Sequence, residues 1–203
     1  MDKHQQAIDY IVKKEPMLLP VVEQFGVYEL QADNCLNVFQ AVSRTIIYQQ
    51  LAGKAAASIH QKFKNLYVNA VPTAEQTDQM SFDILRSAGL SNAKAKAVMH
   101  LSQCVLDGSL PETEIIKKMS DADVVAHLTQ IKGVGPWTAN IALMFWLARP
   151  DIFPLNDLGL KKGLQKLYNL AELPDEQQTQ HYAQQWQPYR TYASWYLWRI
   201  LEL

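Results

Sequence analysis

The chain has 203 residues, 48% of them hydrophobic, with 19 Lys and Arg against 20 Asp and Glu for a formal net charge of −1. That is long and apolar enough to bury a substantial core, as one domain or as two small helical lobes packed together. No apolar run approaches the roughly 20 residues that cross a bilayer, and the start, Met1-Asp2-Lys3-His4-Gln5-Gln6, lacks the basic-then-apolar pattern of a secretory leader, so a soluble cytoplasmic protein is expected, or a nuclear one in a nucleated cell.

Cys35 and Cys104 are far apart and belong to no C-x-x-C pair or His cluster; they are expected as buried reduced thiols, with no metal site. The near-neutral total argues weakly against a nucleic-acid partner, but its distribution matters more. Between 132 and 170, Lys132, Arg149, Lys161, Lys162 and Lys166 face only Asp151 and Asp157. Such a locally basic strip can steer a polyanion.

In chain order, apolar residues recur at helical spacing, first at Phe39, Val42, Ile46 and Ile47, and period-two alternation is rare, so the fold class is all-α. A break falls near Pro72. Ser91 then opens an Ala- and Lys-rich helix running to Val105, and a second break spans Gly108 to Pro111. Ser120-Asp121-Ala122-Asp123 resembles a capping box and starts a helix to Gln130. After a further helix carrying Leu143, Phe145, Trp146 and Leu147, Arg149 to Asn156 forms a connector, and Asp157 stands where it can cap a helix from Leu158 to Leu167. A last break lies at Pro174. Without a low-complexity linker or an internal repeat, residues 1–203 are expected to form one compact body.

The most informative stretch is Ile131-Lys132-Gly133-Val134-Gly135-Pro136-Trp137-Thr138-Ala139-Asn140. A helix ends before it, two glycines permit a tight turn with positive φ, and Pro136 suits the first turn of a new helix because its missing N–H is not needed there. The turn would present backbone N–H groups outward, a geometry suited to a phosphate oxygen and indifferent to base identity. Glycines alone would fit many ligand-free helix pairs.

The full string resembles the helix-hairpin-helix motif of the DNA glycosylase superfamily, which joins the hairpin, over about 121–148, to a downstream Pro-x-x-Asp-Leu-Gly signature. Pro154-Leu155-Asn156-Asp157-Leu158-Gly159 matches it. The resemblance makes Asp157 the catalytic carboxylate in preference to Asp151. A helix start favours a carboxylate's anionic form, which would stabilise the positive charge developing on deoxyribose and help activate water. Members that also cleave the strand carry a lysine where this chain has Trp137, so hydrolysis without lyase activity is implied.

Two further blocks carry the resemblance to the DNA-3-methyladenine glycosylase II family. The ending Trp186-Gln187-Pro188-Tyr189-Arg190-Thr191-Tyr192-Ala193-Ser194-Trp195-Tyr196-Leu197-Trp198 is similar to its Trp-x-Pro-Trp-Arg-Ser-Tyr-Ala-x-x-x-x-Trp ending, with Tyr189 and Thr191 as departures. Ile46-Ile47-Tyr48-Gln49-Gln50-Leu51-Ala52-Gly53-Lys54-Ala55-Ala56 is similar to its helix, Gln-Gln-Leu loop and Lys-Ala-Ala helix. The family fold implies two helical lobes with a lesion cleft between them, in the compact form without an N-terminal β-rich domain.

By the match, Trp137, Trp198 and Tyr48 would hold the flipped base, and Gln50 or Leu51 would fill the gap it leaves. Ala52 replaces a groove-probing side chain of some relatives. Lys54, Lys132, Gly133, Val134, Gly135 and Thr138 would meet DNA. N-methylated purines are cationic and stack on electron-rich rings by roughly 0.5–2 kcal/mol. The implied partner is duplex DNA carrying alkylated purines, approached by a monomer needing no cofactor beyond a monovalent cation at the hairpin. The alternatives are a glycosylase for other base lesions, a catalytically silent hairpin DNA-binding protein, and a helical interaction protein without nucleic acid.

Overall fold

The computed structural model describes residues 2–33, 36–51 and 53–203. Cys35, expected as a buried thiol, and Ala52, expected in the groove loop, lie outside them. Cys104 is a free thiol with 8% of its surface exposed. Among the described residues every regular element is a helix, and no helix is long and apolar enough to cross a membrane.

The chain divides into two compact units. Asp33–Trp146 forms one, built from α3 (Val38–Tyr48), α4 (Gly53–Lys64), α5 (Ala74–Asp78), α6 (Phe82–Ser87), α7 (Asn92–Leu106), α8 (Thr113–Ile116), α9 (Asp121–Leu128) and α10 (Pro136–Phe145). Asn37 and Gln40 close a reciprocal capping box at the start of α3, which buries Phe39, Val42, Ile46 and Ile47. Ser91 caps α7 by accepting the Lys94 N–H, as its side-chain oxygen suggests. Ala95, Val98 and Leu101 of α7 are buried in the core of this unit, where α7 packs on α3, α5 and α6.

Met1–Ala32 and Leu147–Leu203 form the other unit, so the two ends of the sequence share one core. It contains α1 (Lys3–Lys14), α2 (Leu19–Phe25), α11 (Leu158–Leu167), α12 (Glu176–Gln184) and α13 (Arg190–Ile200). Helix α13 packs on α1, α2 and α11 and buries Tyr196 and Leu197 completely. The Tyr196 hydroxyl donates to the Gly26 carbonyl at 2.8 Å and accepts the Tyr28 N–H at 3.0 Å, which satisfies a buried polar group with backbone from the far end of the chain.

Candidate nucleic-acid interface and carboxylate site

In the Asp33–Trp146 unit, α9 and α10 flank the expected hairpin. Gly133 takes a φ of +85°, a conformation costly for any residue with a Cβ. Gly135 departs from the sequence expectation: its φ is −96°, extended backbone at the N-cap of α10, with Pro136 in the first turn. The turn therefore needs one left-handed residue, because α10 begins directly after it. Lys132, Gly133, Gly135 and Pro136 are exposed, whereas Val134 is 5% exposed and anchors the turn through its side chain. A Cβ on Gly135 would meet nothing within 4 Å, so its bareness leaves open space for an incoming group.

Thr138 points inward. It is 4% exposed, and its Oγ1 accepts a hydrogen bond from the Gln49 side-chain amide at 2.7 Å; the same amide donates to the Gly133 carbonyl at 3.1 Å. Gln49 follows α3, and beyond it Gln50 adopts a φ of +55° while Leu51 is 38% exposed. Lys54 is exposed in the first turn of α4. Tyr48 lines an open, largely apolar pocket with Leu36, Ile141, Phe145 and Trp146. Trp137 is half-buried, one helical turn before Ile141.

The His60 ring lies edge-on to Tyr48 with centroids 6.0 Å apart. Burial, reinforced by the charges of Arg44 and Lys64, pulls its pKa down to about 4.

The carboxylate lies in the other unit. Asp157 is 7% exposed and caps α11, its Oδ1 accepting the Leu160 N–H at 2.7 Å. The same oxygen accepts the Trp198 indole N–H from α13 at 2.9 Å. This close crossing depends on two glycines one turn apart. A Cβ on Gly159 would stand 2.8 Å from Trp198 Cδ1 and 3.0 Å from Asp157 Oδ1, and one on Gly163 would strike the Leu197 carbonyl. Asp151 is otherwise engaged: Arg190 grips both its oxygens, at 2.7 and 3.0 Å, an ion pair that ties the connector to α13.

Trp198 is legible in the sequence as an aromatic face, whereas the bond from its N–H to the carboxylate is not, and neither Gln49 nor Lys94 stands out there. The Lys94 Nζ donates to the carbonyls of Ile47 and Gln49, at 2.8 and 2.7 Å. One signal was legible: a cation in the first turn of a helix opposes that helix's own dipole, so Lys94 was poorly placed to serve α7. Of the basic strip, Lys132 belongs to one unit, while Arg149, Lys161, Lys162 and Lys166 belong to the other.

A model of the HhH-GPD family, described as the HhH-GPD superfamily base excision DNA repair protein, matches residues 43–188. The chain is 33% identical over 166 residues to DNA-3-methyladenine glycosylase 1 of Schizosaccharomyces pombe, covering 81% of this chain and 73% of that protein. It is 31% identical over 189 residues to DNA-3-methyladenine glycosylase of Saccharomyces cerevisiae, covering 86% of this chain and 62% of the relative. Among solved structures, the Schizosaccharomyces pombe 3-methyladenine DNA glycosylase (Mag1) in complex with abasic DNA superimposes with a TM-score of 0.86 and 30% identity, covering 94% of this chain and 97% of that one.

Proposed function

Because this chain belongs to the HhH-GPD superfamily of base excision DNA repair proteins, we propose that it is a monofunctional DNA glycosylase that removes alkylated purines, 3-methyladenine and 7-methylguanine among them, from duplex DNA. The observation that carries the reading is Asp157. Its buried carboxylate has one oxygen fixed by two N–H donors from different helices, the arrangement a group needs if it is to act without reorganising.

The hairpin holds a backbone phosphate through the N–H groups at the start of α10, where Gly135 offers no side-chain cap. Gln50 or Leu51 enters the minor groove as the damaged nucleotide turns out of the stack, and Tyr48 and Trp137 offer it aromatic faces. Lys54 and Lys132 add charge toward the phosphates. As the C1′–N bond breaks, its electron pair neutralises the cationic purine, so little acid catalysis is needed. Asp157 stabilises the positive charge left on the sugar and orients the water that adds to C1′, taking up its proton.

With Trp137 in place of an amine, no Schiff base forms at that position, and hydrolysis leaves an abasic site with the strand intact. The enzyme acts as a monomer wherever the chromosome lies. It uses no cofactor apart from a monovalent cation at the hairpin carbonyls, one of which, Gly133 O, already accepts from Gln49.

The test is release of free 3-methyladenine and 7-methylguanine from methylated duplex DNA by the native protein and by Asp157→Asn. The asparagine oxygen can still accept the Leu160 and Trp198 N–H groups, so the variant removes the charge and keeps the cap. Release by the native protein, lost in a variant that still folds and binds DNA, is the expected result. Binding without release by the native protein would favour another lesion class or a silent DNA-binding role.

A further inference from the structure

The turn after α3 and the hairpin between α9 and α10 are separated by some eighty residues of sequence, yet one set of side chains holds both. A helix end leaves its last carbonyls without partners, and water usually takes them. Here the Lys94 ammonium takes two, Ile47 O at 2.8 Å and Gln49 O at 2.7 Å, at the end of α3 where the helix dipole welcomes a cation. Burial lowers the Lys94 pKa, as expected for an ammonium drawn from water for this task.

Gln49 closes the link. Its amide donates to Gly133 O at 3.1 Å and to Thr138 Oγ1 at 2.7 Å, one acceptor in the hairpin and one in the first turn of α10. Helix α7 braces the far side at three-residue spacing. Lys94 holds the α3 end, Ala97 lies beneath Gly133, where an added Cβ would come within 3.0 Å of it, and His100 Nδ1 accepts the Lys132 N–H at 3.2 Å.

We infer that Gln49, backed by Lys94, is a positioning residue that ties the intercalating turn Gln50-Leu51 to the phosphate-gripping hairpin, so that grip and wedge act on the duplex as one rigid body. The inference rests on the glycosylase reading for the identity of grip and wedge. Its physical content is that clamping a phosphate fixes where the wedge enters, and the cost of unstacking a base is met by binding at the hairpin. Gln49 touches no DNA in this scheme, because both of its donors are committed inside the protein.

The experiment compares the native protein with Gln49→Ala and Lys94→Met. Wedge insertion is read by the fluorescence of 2-aminopurine placed beside an abasic-site analogue, and grip by affinity for undamaged duplex. Excision is read in single turnovers on a methylated base either fully paired or in a one-nucleotide bulge, where extrusion costs little. Both variants should stay folded with a Tm lower by no more than several degrees, keep their affinity for undamaged duplex to within about twofold, and lose most of the fluorescence rise. On the paired substrate they should slow by about tenfold, the rate equivalent of one lost hydrogen bond, while the bulged substrate restores the native rate.

Equal slowing on both substrates, or an unchanged fluorescence rise in Gln49→Ala, would overturn the coupling. If the native protein releases no base while the fluorescence pattern holds, the glycosylase reading fails and the coupling stands.

Discussion

The indole N–H of Trp198 donates to Oδ1 of Asp157 at 2.9 Å, on the oxygen that also accepts the Leu160 N–H at 2.7 Å. Trp198 thereby reaches a carboxylate 41 positions back in the sequence and shares its oxygen with the backbone at the start of α11. A carboxylate held by a charge-assisted bond of this kind has few orientations available, which is what stabilising a developing cation demands. Trp198→Phe retains a ring and removes the donor. Its single-turnover excision rate should fall by about tenfold, the equivalent of one such hydrogen bond, with little change in affinity for abasic DNA. An unchanged rate would mean that the indole N–H does not position the carboxylate.

The close packing of α11 on α13 makes Gly159 part of the same arrangement. In Gly159→Ala the new methyl would press on the Trp198 ring and the Asp157 oxygen, both side-chain groups that can shift. Overpacking of this sort costs ~1–3 kcal/mol, so Tm should drop by several degrees while excision falls out of proportion. Gly163→Ala meets the Leu197 backbone carbonyl, which cannot move without α13. It should unfold at a lower temperature than Gly159→Ala. Thermal denaturation of the two variants beside their excision rates checks the ordering, and a reversed order would refute the assignment of backbone and side-chain conflict.

What the sequence made legible was local. Ser91, Ser120 and Asp157 announced helix starts because a cap needs only an N–H three residues ahead, and α11 spans the range read from the sequence. The hairpin was readable from Gly-x-Gly-Pro, although the pattern could not say that Gly133 alone would turn left-handed, since that depends on where α10 begins. The contacts that build the site are long-range. Trp198 to Asp157, Gln49 to Thr138 and Lys94 to Ile47 join residues that no periodicity connects. The pairing of both chain ends in one unit, sealed by Tyr196 on Gly26, was equally invisible, because a buried tyrosine in sequence does not name its acceptor.

His60 offers a pH-dependent check on the Asp33–Trp146 unit. Its pKa falls from the ordinary 6.5 to about 4, first through burial and then through the charges of Arg44 and Lys64. The unfolded chain therefore takes up the proton before the folded one as pH drops. Stability conferred by neutral His60 is present above about pH 6.5 and is lost as pH falls toward 4. The His60 ring resonances should titrate with a midpoint near 4 in NMR spectra of the native protein. His60→Gln should unfold with a shallower loss of stability across that window. A midpoint near the ordinary value would show that the ring is solvated and that Arg44 and Lys64 do not act on it.

The hairpin glycines separate folding from grip. Gly133→Ala forces a Cβ into a φ of +85° and to within 3.0 Å of the Ala97 Cβ, a left-handed strain of roughly 1–2 kcal/mol. Its DNA affinity will fall together with its Tm, so it cannot isolate the phosphate contact. Gly135→Ala can, because its Cβ meets nothing within 4 Å in the protein, and an N-cap Gly→Ala change costs only about 1 kcal/mol or less. If the phosphate sits against the start of α10, that methyl occupies the approach, and affinity for undamaged duplex should drop by about tenfold for any sequence, with a shallower dependence on salt. Titration of both variants with duplexes of unrelated sequence measures this. Native affinity in a folded Gly135→Ala would remove the start of α10 from the DNA interface and leave the exposed Lys132 and Lys54 as the groups to test next.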